Sequence, residues 1–172
     1  MVSAAELHVL DPHGGAADID AGLERAAKEE IPAICVPPTQ IVHALNTAQK
    51  RAQSIEVASV AGYPTGQHHS LIKAAEARFA LQCGAKRIYL SVATADVEDL
   101  NKALADIISV REAIPHPAQL GVIIDLEHLN ENAANTLARA AEHAGADLLL
   151  IKGEGELSTR LLALRLNGEL AR

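Results

Sequence analysis

The stretch DLLLIKGEGE, residues 147–156, places Lys152 at the end of an apolar run and just before a glycine-rich acidic turn. An ammonium group there either extends from the strand into solvent or is held, partly desolvated, where a lowered pKa makes it a nucleophilic amine. Asp125 and Glu127 stand two residues apart at the end of another apolar run, GVIIDLEHL. On a strand that spacing points both carboxylates to one side, which suits acid–base work or a hard cation such as Mg²⁺. In the plainer reading Asp125 is structural and Glu127 is solvated. His68 and His69, together with His8 and His128, lack the HxH or HxxxH spacing of a metal site, and no metal is expected. The glycines of GEGE, 153–156, resemble a phosphate turn, but Glu154 and Glu156 would repel phosphate and better complement a helix dipole themselves.

These residues need a scaffold, and the hydrophobic pattern predicts one. Apolar strands are expected at 7–10, 33–36, 57–61, 87–93, 120–126 and 148–151. Helices are expected between them: from Asp18 to about 30, from Thr39 to about 52, over about 70–82, from about 93 to the PHP segment at Pro115, and from Asn130 to Gly145. A sixth helix is expected over 157–166, ended by Asn167-Gly168. Strands apolar on both faces alternating with helices indicate a parallel sheet with right-handed crossovers. No GxGxxG follows the first strand, so a dinucleotide-binding open sheet is unsupported. The remaining architectures are another open sheet or part of a TIM-like (β/α) barrel, which ordinarily needs ~250 residues. The expectation is α/β: one domain over 1–172, an incomplete barrel of about six βα units.

Composition narrows the class. With 49% hydrophobic and 2% aromatic residues, the core must be built from Ala, Leu, Ile and Val. A net charge of −7 and the lack of any Lys/Arg run argue against nucleic acid as a partner. Cys35 and Cys83 are far apart with no CxxC, which suits a reducing cytosol, and no apolar run or leader suggests a membrane or export. A cytoplasmic protein is expected.

The stretch VASVAGYPTGQHHSLIKAAEA, 57–77, resembles the deoxyribose-phosphate aldolase family. Gly62, Tyr63, Pro64 and Gly66 match that family's G-[FY]-P-x-G, and Lys73, Glu76 and Ala77 its K-x-x-E-A, at the family's spacing. ICVPP at 34–38 is similar to its V-C-V-x-P, GVIIDL at 121–126 to its K-V-I-I-E-T, and EHAGADL at 142–148 to its turn into the sixth strand. The matches run in order from about residue 8 to 148. They imply a TIM-like barrel and a class I aldolase that needs no cofactor. In such an enzyme a strand-six lysine forms a Schiff base with a small aldehyde or deoxy-sugar phosphate, assisted by a strand-four Asp and a strand-seven Lys.

The chain departs from the family at three places. Tyr89 occupies the position of the strand-four carboxylate, and the strand-seven lysine and the loops beyond it have no counterpart. Counted without gaps, the Schiff-base lysine falls on Leu150. Lys152 lies on the same face, one pleat (~6.6 Å) nearer the C-terminal, active-site end of the strand. The candidate catalytic residues are therefore Lys152, Asp125 and Tyr89, in an aldolase-like lyase or in a homologue that has lost its chemistry and serves as a binding or assembly subunit. The bland expectations are a turn role for Tyr63 and Pro64, an ion pair of Lys73 with Glu76 or Glu56, and a core role for Cys35. Six strands cannot close a barrel, so the open edges, with an apolar sixth helix, predict a homodimer.

Overall fold

The computed structural model describes residues 6–97 and 99–166. Among them, seven strands pair in sequence order, all parallel: β1 (Leu7–His8), β2 (Ala33–Cys35), β3 (Glu56–Ala61), β4 (Arg87–Ser91), β5 (Gln119–Asp125), β6 (Leu148–Lys152) and β7 (Leu162–Arg165). Helices α1 (Ala16–Lys28), α2 (Ile41–Lys50), α3 (Ser70–Gln82), α4 (Leu100–Ala113) and α5 (Glu131–His143) carry the first five crossovers. The sheet curls into a half-barrel of the TIM type. No helix among the described residues is long and apolar enough to cross a membrane.

Strand alternation divides the core in two. Outward residues such as Ile88, Leu90, Leu120, Val122, Ile124 and Leu149 pack under the helices. Inward residues, among them Cys35, Ala58, Val60, Tyr89, Ile123, Leu148, Leu150 and Leu164, fill the hollow of the curl. Tyr89 takes the space that Gly121 leaves open, since a Cβ at Gly121 would lie 2.4 Å from the tyrosine ring.

The helix starts follow their caps. The Asn130 side chain accepts from the Ala133 amide at 2.9 Å, while Asp18 acts from inside the first turn of α1, accepting from the Gly15 amide at 2.7 Å. Thr39 falls in a 3₁₀ turn, Pro38–Gln40, and α2 begins after it. The fourth helix is also broken: Thr94–Asp96 is a separate 3₁₀ turn, and α4 starts at Leu100 with Asp99 as its cap.

The sixth helix is not formed. Residues 153–161 make a loop, and Leu162–Arg165 is a seventh strand, paired Leu148 to Leu162 through Ile151 to Arg165. A parallel connection ordinarily takes about a dozen residues and a helix, but this one is short and opens on Gly153 and Gly155, both at positive φ. Within LALR the accessibility is that of a strand edge: Leu164 is buried and Leu162 exposed. Leucines at 157, 161 and 164 fit a helical stripe and those at 162, 164 and 166 a period of two, and pairing to β6 decides between them. The expected stop at Asn167-Gly168 lies outside the described residues.

The GYPTG turn is anchored from two sides. Gly66 has φ +69°, and a Cβ there would lie 2.4 Å from the Val92 carbonyl carbon, so only glycine lets the turn settle against the end of β4. On the helix side, Glu76 Oε2 accepts from the Gly62 amide at 2.7 Å. The buried stem of Lys73 passes close beneath Gly62, and its Nζ reaches Asp106 Oδ2 on α4 at 2.5 Å. The partner of Lys73 is thus Asp106, neither Glu76 nor Glu56, and Ser70 Oγ donates to the other Asp106 oxygen at 2.7 Å. The K-x-x-E-A motif therefore ties the mouth turn to two helices.

Candidate active site at the mouth of the half-barrel

Asp125 and Lys152 are register partners at the C-terminal ends of β5 and β6. Both continue the inward-facing series, Gly121–Ile123–Asp125 on one strand and Leu148–Leu150–Lys152 on the other. Lys152 Nζ lies 3.3 Å from Asp125 Oδ2 and 3.0 Å from Glu127 Oε2, with its side chain about one-third exposed. His128 Nδ1 lies 3.0 Å from the same Asp125 oxygen. A small cavity of about 40 Å³ opens beside them, lined in part by Tyr63, Thr65, Ser91, Asp125 and Lys152.

The electrostatics follow from these contacts. The hydrogen bond to Glu127 holds the Lys152 ammonium above the usual lysine range; partial burial opposes this, and Asp125 adds to it. Burial pushes the Asp125 carboxyl up, but the hydrogen bonds of His128 and Lys152 outweigh it and leave the group below its ordinary value. At neutral pH the pair is an ammonium against a carboxylate. Burial raises the Tyr63 phenol, so it stays protonated and can donate.

Tyr89 sits below this layer, fully buried. Burial first, then the Glu6 carboxylate against its hydroxyl, drives its pKa far up, so it stays a neutral phenol away from the mouth. Glu6 in turn is bound by Arg87 at 2.6 Å and by His8 at 3.0 Å, and Arg87 also reaches Gln119 at 2.9 Å. This network crosses the N-terminal end of the hollow. A larger cavity of about 730 Å³ lies at that end, between Pro32, Glu56, Lys86, His116 and Pro117. Among the described residues, the one interior cation it borders, Arg87, is already engaged by Glu6, Glu56 and Gln119. In a (β/α) barrel chemistry belongs to the opposite, C-terminal face.

The other candidates divide cleanly. Asp125, Glu127 and His128 bring ligand atoms within 4.8 Å of one another, but the Lys152 ammonium already lies against the two carboxylates where a cation would bind. His8 is at the far end of the hollow with Glu6, and His68 and His69 are exposed, so the four histidines do not converge. Burial raises the Cys35 thiol well above its normal value, which leaves it an inert interior residue. Two residues escaped the sequence reading. Ser91 is polar at an inward position of RIYLS, and Asp106 interrupts the buried stripe Ala103–Ile107–Val110 of α4. A charge on an apolar stripe requires a partner, and that signal was available.

No protein-family model matches the chain. A deoxyribose-phosphate aldolase of Corynebacterium jeikeium is 38% identical over 146 residues, 81% of this chain and 58% of that protein. One of Nocardia farcinica is 36% identical over 171 residues, 94% of this chain and 74% of its own length. The chain therefore spans between about half and three quarters of the length of these relatives. Among solved structures, the tetrameric deoxyribose phosphate aldolase of Aeropyrum pernix superposes with a TM-score of 0.75 at 20% identity, over 87% of this chain and 63% of that one. That likeness bears on the fold alone, which agrees with the parallel, inward-filled curl described above. The sequence identity extends through the mouth turn and the strands that carry Asp125 and Lys152, and on it the chain belongs to the deoxyribose-phosphate aldolase family.

Proposed function

We propose that the mouth of the half-barrel is a Schiff-base lyase site, with Lys152 as the nucleophile and the Asp125 carboxylate as the base that takes the proton of the substrate hydroxyl. The observation that carries this reading is the register pairing of the two residues on the inward face, 3.3 Å apart, beside a small cavity. The substrate class comes from the family: a small aldehyde or a deoxy-sugar phosphate such as 2-deoxyribose 5-phosphate. Lys152, having lost its proton to solvent, adds to the aldehyde carbon, and loss of the carbonyl oxygen as water leaves an iminium. Removal of the proton from the C3 hydroxyl then breaks the C2–C3 bond. Its electron pair enters the iminium to give an enamine and releases glyceraldehyde 3-phosphate. Protonation of the enamine and hydrolysis free acetaldehyde and the amine.

The raised pKa of Lys152 sets the pH dependence. Deprotonation is required for attack, and the neutral fraction grows roughly tenfold per pH unit below the pKa. Cleavage of 2-deoxyribose 5-phosphate should therefore rise steadily from neutral pH to beyond pH ~9, with no plateau near neutrality. A rate that levels off below pH ~8 would mean that a different, less basic group attacks.

The double ion pair of Lys152 favours one further reading, a site that binds a ligand through a permanent ammonium and performs no chemistry. A protein that binds the sugar phosphate without cleaving it at any pH would support that reading over the first. The homodimer inferred from the open sheet is part of the same proposal, with β1 and β7 as its edges. Light scattering across a concentration series should give twice the monomer mass, and a constant monomer mass would remove it.

A further inference from the structure

The inward face of β4 carries Arg87, Tyr89 and Ser91 in succession toward the mouth. Arg87 is engaged by Glu6 and Gln119, while the Tyr89 hydroxyl lies near the Glu6 carboxylate at the closed end of the hollow without a hydrogen bond among the described residues. Ser91 differs in facing the open mouth. It is 3% exposed, yet its Oγ has no hydrogen-bond partner among the described residues. A buried hydroxyl without a partner loses its water and gains nothing in return, so such groups ordinarily find a ligand or an ordered water to complete them.

Ser91 lines the same small cavity as Lys152 and Asp125. In register it is level with Ile123 and Leu150, one pleat below the Asp125–Lys152 layer, which makes it the floor of the cavity. Beneath it the hollow is plugged, by the Tyr89 ring over Gly121 and by Leu148. Ser91 and Lys152 stand two residues beyond Tyr89 and Leu150, the positions that the resemblance assigns to the carboxylate and the lysine. The polar groups of both strands have thus moved outward by one pleat each, and aromatic and apolar side chains fill the positions they left.

The size and chemistry of this floor define its ligand. About 40 Å³ exceeds the ~10–15 Å³ that one water needs and suits the carbonyl end of a substrate, whose remainder would extend out of the mouth. The Asp125 carboxylate disfavours an anion there, and a serine hydroxyl both donates and accepts. We propose that Ser91 is a substrate-binding residue whose hydroxyl donates to the carbonyl oxygen of a short, uncharged carbonyl group inserted between it and Lys152. The assignment rests on the mouth being the reactive site, and it adds a binding group on β4 that turns the carbonyl carbon toward Lys152.

Acetamide tests this without chemistry, because it presents a carbonyl of the right size and forms no imine. Its binding is followed by amide chemical-shift titration of the full chain, for wild type and Ser91→Ala, with acetate as the charged control. The expected result is saturable binding to wild type, roughly three- to ten-fold weaker in Ser91→Ala, as for loss of one neutral hydrogen bond. The melting temperature should stay the same or rise, since the hydroxyl removed has no partner in the fold. Equal affinity in the two proteins, no saturable binding to wild type, tighter binding of acetate than of acetamide, or a lowered melting temperature in Ser91→Ala would each overturn the proposal. Failure of the Schiff-base reading is seen separately, as the absence of a covalent adduct on Lys152, and leaves the acetamide result untouched.

Discussion

A Lys152→Ala variant is expected to lose cleavage of 2-deoxyribose 5-phosphate by about three orders of magnitude or more, the scale of removing a nucleophile. Lys152 is the only amine lining the mouth cavity among the described residues. Its removal should cost little stability, because its ion pairs to Asp125 and Glu127 are partly exposed and screened by solvent. Lys152→Arg makes the sharper control. A guanidinium keeps a cation between the two carboxylates but cannot form the imine, so this variant should fold normally and be equally inactive. Steady-state kinetics of both variants, beside their thermal melts, check the prediction. Appreciable turnover by either would move the nucleophile elsewhere.

The largest expected effect on stability lies in the helix layer. Replacing Lys73 with methionine keeps most of the buried stem but removes the ammonium that Asp106 faces at 2.5 Å. Asp106 would be left with the Ser70 hydroxyl alone, in a site where its side chain is 9% exposed. Breaking a buried pair from one side typically costs about 3–5 kcal/mol, because the remaining charge has lost its partner. Chemical denaturation should report a loss of that size. The double variant Lys73→Met, Asp106→Leu should recover most of it, since an apolar replacement of the whole pair removes the unpaired charge. If the double variant is no more stable than the single one, the cost lies in packing beneath Gly62 rather than in charge.

Much of this arrangement was legible in the sequence. Six of the seven strands fall where apolar runs flanked by turn residues place them, because a strand buried on both faces is built largely of apolar residues. Asp125 and Lys152 were both placed near strand ends, and Lys152 on the face of the family's lysine position. Their juxtaposition was not legible, because register between two parallel strands depends on the whole sheet and not on either segment. The segment 157–166 was misread because its leucines satisfy two periods at once. Only the neighbouring β6 edge, which offers unpaired amides and carbonyls to Leu162–Arg165, selects the extended form. The helical partner of Lys73 was missed for a related reason, since Asp106 lies on the next helix and spacing along the chain says nothing of it.

The family resemblance explains the scaffold more fully than the chemistry. The turn at Gly62–Gly66 and the Lys73 and Glu76 contacts preserve the architecture of the mouth. Inside it, Tyr89 and Leu150 stand at the positions where the resemblance expects a carboxylate and a lysine, and on each strand the polar group sits one pleat further out. That shift costs burial. A lysine nearer solvent and flanked by two carboxylates holds its proton more tightly, so the account requires slow attack at neutral pH and faster attack in alkali.

Borohydride trapping tests the central claim most directly. The protein is incubated with acetaldehyde or 2-deoxyribose 5-phosphate across a pH series and reduced, and the peptides are examined by mass spectrometry. One stable adduct is expected on Lys152, increasing with pH and absent from Lys152→Ala. An adduct on another lysine, or none on Lys152 at any pH where a working aldolase is labelled, would contradict it.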